Sequence, residues 1–387
     1  MPEVHATLSA SGSSRWINCP PSVLMEKDFP SQFSEYAAKG TLAHELGEIS
    51  IKRNLNQMSA AQFKNNLNRI MKNSFWSADM PDYVDTYVSL CIEKASAAKL
   101  RDEAPQLKVE QRLDFSEWVP GGFGTGDFVI VENGKVEICD LKYGKGVPVS
   151  AENNSQMMLY ALGAIAEFDF VYDIKTVTMT IIQPRLDSVS EWSISKEDLL
   201  KWADEVVKPK AELAIKGEGE LKAGPHCKFC KAKATCRARA EKNLELAKYD
   251  FQEPNTLSNE EISEILLSID DLDSWVKDVK EYALDKAIQG EKFEGFKVVE
   301  GRSNRKYTDT EAIKNKLIEE GYEEAKILKP AELITLTNME KLVGKKKLGE
   351  IIGDFIEKPS GKPTLVPVSD KRPEYNSVKN DFESEEK

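Results

Sequence analysis

Asp127, Asp140 and Lys142 are the residues whose types and spacing most directly suggest chemistry in this chain. They flank Asn133-Gly134 inside GTGDFVIVENGKVEICDLK (124–142), two runs rich in Val and Ile. Asn-Gly between such runs is the strongest short-range signal for a two-residue type I′ hairpin. With those residues as the loop, Glu132 faces Lys135, Val131 faces Val136, Val129 faces Ile138 and Asp127 faces Asp140. Opposed residues share a sheet face with Cβ atoms roughly 5 Å apart, so two carboxylates there repel unless a cation, a shared proton or open solvent relieves them. Oxygen ligands suit Mg²⁺ or Mn²⁺. Lys142 lies two residues past Asp140 and so projects from the same face, bringing an ammonium beside the pair. The bland alternative is a solvated hairpin with scattered charges.

Other groups converge on this hairpin. Gln156 and Tyr160 are spaced i, i+4 in QMMLY, on one face of the helix expected to follow, where an amide and a phenol could touch a phosphate or orient Lys142. Upstream, GTLAHELGE places His44 early in a helix after Gly40-Thr41, with Glu48 one turn on. His44 could complete a metal shell, with Glu48 setting its tautomer. Glu110, at the centre of the strand before the hairpin, is a further acidic neighbour. HELGE also brings HExxH zinc proteases to mind, but the second histidine is absent and Gly47 weakens the helix, so that chemistry is set aside.

Three of six cysteines sit together in HCKFCKAKATC: Cys227, Cys230 and Cys236. Three thiolates from one tight loop are one short of a tetrahedral zinc site or a cubane cluster. Cys139 points to the sheet face opposite Asp140, and Cys91 reads as helix core, which leaves Cys19 in RWINCPPS as the fourth thiolate. His226 is an alternative donor, although adjacent residues rarely reach one metal together.

The elements that must position these groups follow from periodicity. A helical turn after Pro20-Pro21, a helix over about Lys39–Lys52 and a longer helical stretch over about Ala60–Leu100 precede strands at 107–115, the hairpin and 176–184. A helix of about four turns lies between the hairpin and the last strand, and another runs from SKEDLL to Gly217. The expected fold is α/β: a small mixed β-sheet flanked by helices, followed by a mainly helical C-terminal module. There Ser258 and Glu261 form a capping box, and an apolar stripe from Ile262 to Ala283 marks a long helix suited to core packing or a helical hairpin. EGFKVVEG reads as strand-like, and two short helices complete the module. Expected boundaries are 1–250, 251–357 and a disordered tail over 358–387.

Taken together these motifs resemble the PD-(D/E)xK phosphodiesterase superfamily, within it the RecB-like exonuclease branch. The matching pieces, in the family's order, are Gly40, Thr41 and His44; Gly124 to Asp127; Asp140-Leu141-Lys142; and Gln156 with Tyr160. The resemblance implies a restriction-endonuclease-like core and metal-dependent hydrolysis of DNA. His44, Asp127, Asp140 and the Leu141 carbonyl would hold Mg²⁺ or Mn²⁺, Lys142 would position the attacking water, and Gln156 and Tyr160 would hold the strand. Several nucleases of this branch carry one N-terminal and three C-terminal cysteines around a four-iron, four-sulfur (4Fe-4S) cluster, the layout of Cys19 with Cys227, Cys230 and Cys236; Zn²⁺ is the rival occupant. Such a link closes a loop of about 210 residues, worth roughly 5 kcal/mol on a chain-entropy estimate. The whole chain, with SASGSSRWINCPPS, EGRSNRKY and EKLVGKKK, also resembles an uncharacterised family of phage and prophage proteins. That setting implies work on DNA in replication, recombination or repair in the cytoplasm of a bacterial host, beside a single-strand-binding or annealing protein. A catalytically inactive DNA-binding or scaffold protein of the same fold is the alternative function.

Composition bounds these expectations. At 387 residues and 41% apolar content the chain can bury a sizeable core. Its net charge of -12 argues against a generally basic nucleic-acid coat, though a metal-lined cleft can be locally positive. Arg302, Arg305 and Lys306, with Lys345 to Lys347, either contact phosphates or form a solvated basic face. No run approaches the roughly 20 apolar residues of a membrane span, and the N-terminus lacks the pattern of a signal peptide, so a reducing cytoplasmic setting is expected.

Overall fold

In the computed structural model five strands form one sheet in chain order: β1 (Gln106–Asp114), β2 (Phe123–Glu132), β3 (Lys135–Leu141), β4 (Thr176–Gln183) and β5 (Ser188–Ser195). β3 and β4 are parallel and the other neighbours antiparallel, so the sheet is mixed, as expected. The structure describes residues 6–30, 34–246, 257–299, 310–319, 339, 344–352 and 356. The expected tail at 358–387, EGRSNRKY from Glu300 onward, and with it Arg302, Arg305 and Lys306, lie outside them.

The helices are α1 (Ser13–Asn18), α2 (Ser22–Met25), α3 (Glu35–Asn54), α4 (Ala60–Met71), α5 (Met80–Arg101), α6 (Ser155–Tyr172), α7 (Lys196–Trp202), α8 (Lys208–Lys216), α9 (Arg237–Leu244), α10 (Asn259–Ile288), α11 (Thr310–Glu319) and α12 (Lys345–Ile352). A parallel strand pair needs a crossover, and α6 supplies it. It buries almost its whole middle, Met157 to Ile165, because its apolar residues run all the way round. On this face Val129, Val131, Val136, Ile138 and Ile181 pack with α6, Trp16 and Leu8. On the other, Phe128, Ile130, Cys139 and Leu141 pack with α3 and α5. Covered on both faces, β2 and β3 read as continuous apolar runs, each large buried side chain contributing about 1.5–3 kcal/mol. Lys94 of α5 reaches Glu137 and Glu191, and Arg101 pairs with Glu132 at 3.0 Å, docking that helix on the sheet.

The hairpin register is the expected one from Glu132↔Lys135 to Phe128↔Cys139. Its turn is not type I′: Gly134 has φ +80° but Asn133 is not in the positive-φ region. The backbone there is held from outside, with Asn133 N–H donating to Asp102 at 2.7 Å and Gly134 N–H to the Tyr172 carbonyl at 2.8 Å. The stretch over 60–100 is two helices, interrupted before α5, whose first turn carries Pro81. From Lys196 to Lys216 the helix is continuous but carries a π-turn at Ala203–Val207, just before Pro209, whose missing N–H disrupts the regular ladder. β5 has no clear strand signal in the sequence, its polar SVSEWSIS lacking strict alternation. Conversely, residues 294–299 form no strand, and Phe296 and Val299 are exposed.

The capping box of Ser258 and Glu261 starts α10 as expected. That helix is anchored through Asp278, which meets Arg239 of α9 at 2.5 Å and Lys233 at 2.6 Å, while Ile262 and Ile269 of its stripe stay exposed.

Candidate active site

The β2–β3 ladder stops one step short of Asp127 and Asp140. In the same row, the β1–β2 ladder skips Glu110 and Asp127, and Glu110 has φ +53°. A side chain in that left-handed region costs of order 1–3 kcal/mol and persists where its surroundings hold it. The consequence is a switch of faces. Val109 packs toward α3 and α5, yet Leu113, four residues on, packs toward α6; Gly124 lies against Tyr160 and Gly126 against Leu113. A regular strand would put 109 and 113 on one side.

The expected opposition of Asp127 and Asp140 on one face is therefore replaced by a splayed arrangement. Asp127 Oδ2 accepts the Leu141 N–H at 2.7 Å, standing in for the missing backbone bridge. Its Oδ1 lies 3.1 Å from His44 Nδ1, delivered by α3 from the layer opposite α6. His44, Glu110 and Asp127 place ligand atoms within 4.8 Å of one another. Asp140, 2% exposed, turns toward α6: its Oδ2 is 2.8 Å from Lys142 Nζ without an aligned hydrogen bond, and its Oδ1 accepts from Gln156 Nε2 at 3.4 Å. Gln156 Oε1 accepts from Lys142 at 3.0 Å, and Nε2 also donates to the Tyr160 hydroxyl at 3.1 Å.

Local sequence explains this placement. α3 begins at Glu35, capped by Ser34, so Gly40 and Thr41 lie inside the helix rather than before it. Gly47, one turn past His44, permits the close crossing with α5: a Cβ there would stand 3.2 Å from Tyr87. Glu48 forms an ion pair with Lys52 at 2.5 Å, so the His44 nitrogen that was expected to meet it meets Asp127 instead. Asn154 caps α6, and the Ser13 and Ser155 hydroxyls, 2.7 Å apart, tie α1 to its first turn, a link with no sequence signal.

Electrostatics distinguishes the groups. Burial works against a charged His44, but Asp127, by charge and hydrogen bond, and Asp140 overcome it and raise its pKa to about 9. Burial, with repulsion from Asp127, pushes Glu110 up to about 7. Burial also raises Asp140 against the pull of Lys142. Lys142, though desolvated, is held as an ammonium by Asp140. A histidine nitrogen and carboxylate oxygens, two of them binding protons that a cation could displace, fit a hard divalent ion.

The four expected cysteines also come together. Cys19, Cys227, Cys230 and Cys236 line one small cavity with Arg15, Lys233 and Arg239. Gly224 N–H reaches Cys227 Sγ at 3.4 Å, and burial pushes the Cys230 thiol up to about 12 despite the Ala232 N–H, so a thiolate there calls for metal charge. The Nε atoms of Arg15 and Arg239 are buried without an acceptor, which fits an anionic occupant. Arg15 pairs with Glu26 at 2.8 Å, and Glu26 accepts the Lys231 N–H at 2.7 Å, joining the chain's beginning to the cysteine loop. His226 Nε2 meets the Lys222 carbonyl at 2.8 Å. Cys139 and Cys91 are fully buried core residues, as expected.

Fold and site thus define an α/β protein with a histidine and carboxylate group at the splayed end of its central hairpin. The chain belongs to the family described as "Protein of unknown function (DUF2800)", whose model matches residues 5–373. The crystal structure of SSO0001 is similar at 14% identity, covering 62% of this chain and 88% of its own with a TM-score of 0.25, a likeness that carries no argument. Among the described residues no helix is long and apolar enough to cross a membrane.

Proposed function

We propose that this protein is a Mg²⁺- or Mn²⁺-dependent deoxyribonuclease of the PD-(D/E)xK type, acting as an exonuclease on phage DNA in recombination, replication or repair within a bacterial cell. One observation carries the reading: a cation-sized group of His44, Glu110 and Asp127 lies across the splayed hairpin from a part-buried Asp140–Lys142–Gln156–Tyr160 network. His44, Glu110 and Asp127 would hold the ion, with Asp140 completing the anionic end of the site. When bound, the ion supplies charge neutralisation at the phosphate and a lowered pKa for water. Lys142, kept charged by Asp140, acts as a donor to the phosphate or attacking water and not as a base. Gln156 accepts from the lysine and is itself held by its bond to the Tyr160 hydroxyl, so the ammonium is preorganised. The net reaction adds water across one ester linkage: a P–O bond forms from the water oxygen, the ester P–O bond breaks, and the leaving oxygen takes up a proton.

The cysteine cavity supports a 4Fe-4S cluster as a structural staple. Among the described residues no three of the four sulfurs lie within 4.8 Å of one another, whereas thiolates on one tetrahedral zinc stand about 3.8 Å apart. Digestion of end-labelled linear and circular DNA with Mn²⁺, with EDTA as the control, tests the function. Loss of linear substrate, and folded but inactive Asp140→Ala and Lys142→Ala variants, are expected; an active, purified Asp140→Ala protein overturns the assignment.

A further inference from the structure

Arg185 lies in the single 3₁₀ turn after β4, the strand parallel to β3. Lys142 N–H donates to the Ile182 carbonyl at 2.9 Å, so Arg185 and Lys142 leave the sheet at the same end from neighbouring strands. Its guanidinium rests 5.0 Å from the ring centre of Tyr143, the residue after Lys142, and 5.8 Å from that of Tyr83. The two rings meet edge to face, 6.4 Å apart. Arg185 Nε is buried without an acceptor, and among the described residues no carboxylate pairs with this arginine. Several other partly or fully buried cations do pair: Lys94 with Glu137, Lys142 with Asp140, Lys196 with Asp169, Arg239 with Asp278. Asp79 is close enough to influence Tyr143 but forms no ion pair with Arg185.

A cation spared its own carboxylate, held on two aromatic rings and left with an unmet donor is suited to an anionic ligand. Its planar fork matches a phosphate with two parallel N–H···O bonds, and the tyrosine platform has already restricted the side chain, so little freedom is lost on binding. We propose that Arg185 is a substrate-binding residue that grips a phosphate of the DNA strand adjacent to the one presented to Lys142. This rests on the nuclease reading above and extends it to a group outside the family's motifs.

The test is steady-state cleavage of a labelled oligonucleotide by the full chain in Mn²⁺, with binding measured at several salt concentrations with Ca²⁺ replacing Mn²⁺. Arg185→Ala is expected to raise KM about tenfold with kcat little changed, and to lower the slope of log affinity against log salt by about one. Arg185→Lys keeps the charge but loses the fork and is expected to fall between, which decides the matter if the alanine variant does not fold. A wild-type protein that fails to cut DNA overturns the nuclease reading, and this assignment with it. A wild-type protein that cuts, with Arg185→Ala unchanged in KM and salt slope, overturns the role of Arg185 alone; a lowered melting temperature in that variant would then mark the stack as structural.

Discussion

Binding of Mn²⁺ to this protein should expel protons, and the number can be worked out from the site. His44 has a pKa of about 9 because Asp127 and Asp140 outweigh its burial, so at pH 7 it is almost wholly protonated. Glu110, raised to about 7 by burial, is half protonated there. An ion held by His44, Glu110 and Asp127 needs both groups deprotonated, so about 1.5 protons should leave per ion at pH 7. Removing the His44 proton two pH units below its pKa costs about 2.7 kcal/mol, which weakens binding at pH 7 about 100-fold relative to pH above 9. Titration calorimetry in buffers of different ionisation enthalpy counts the protons directly. His44→Gln should reduce the count by about one, leaving roughly the half proton from Glu110. A count near zero in the wild type, or one unchanged in His44→Gln, would refute the assignment of His44 and Glu110 to a shared ion.

Without metal the same histidine makes stability depend on pH. Its folded pKa is raised above the ordinary histidine value of 6.5, so its stabilising contribution is complete below that pH and is lost as pH rises through about 9; in EDTA the melting temperature of wild type should exceed that of His44→Gln at pH 6 and match it at pH 10. Gly124→Ala places a Cβ 2.5 Å from Tyr160 Cε1 and should cost about 1–3 kcal/mol in chemical denaturation while reducing activity, since Tyr160 must move. Asp278→Ala leaves the buried Arg239 charge with only the longer 3.7 Å pair to Asp271 and should cost about 3 kcal/mol, seen as faster hydrogen exchange in α9 and α10. Cys230→Ser should abolish brown colour and bound iron; a colourless wild type holding one zinc ion would instead show a single-metal site.

Much of the hairpin could be read directly. Alternating Val and Ile around Asn133-Gly134 specify pairing because a one-residue slip would turn every apolar side chain to the wrong face, and the observed register matches down to Phe128↔Cys139. The same counting placed Cys139 away from Asp140. It failed one row further, since it assumed a regular strand and Glu110 does not adopt one. Nothing in LKVEQRLDF marks Glu110 for a left-handed backbone; the surroundings impose it. Likewise Asn-Gly implied two positive φ angles, and hydrogen bonds from its N–H groups to the Asp102 carboxylate and the Tyr172 carbonyl left only Gly134 with one.

The linear chain, by itself, determined most element types, the hairpin register down to Phe128↔Cys139, the i, i+4 placement of Gln156 and Tyr160 and the grouping of three cysteines, because those depend on neighbours a few residues away. Tertiary structure decided the rest. It brought His44 from one helix layer and Gln156 with Tyr160 from the other to the two sides of one splayed strand end, and set Cys19 beside Cys230. It also left Arg185 on two tyrosines without a carboxylate among the described residues. Those outcomes depend on which helices cover which sheet face and on where the ladder breaks, and both are settled by burial of the whole core.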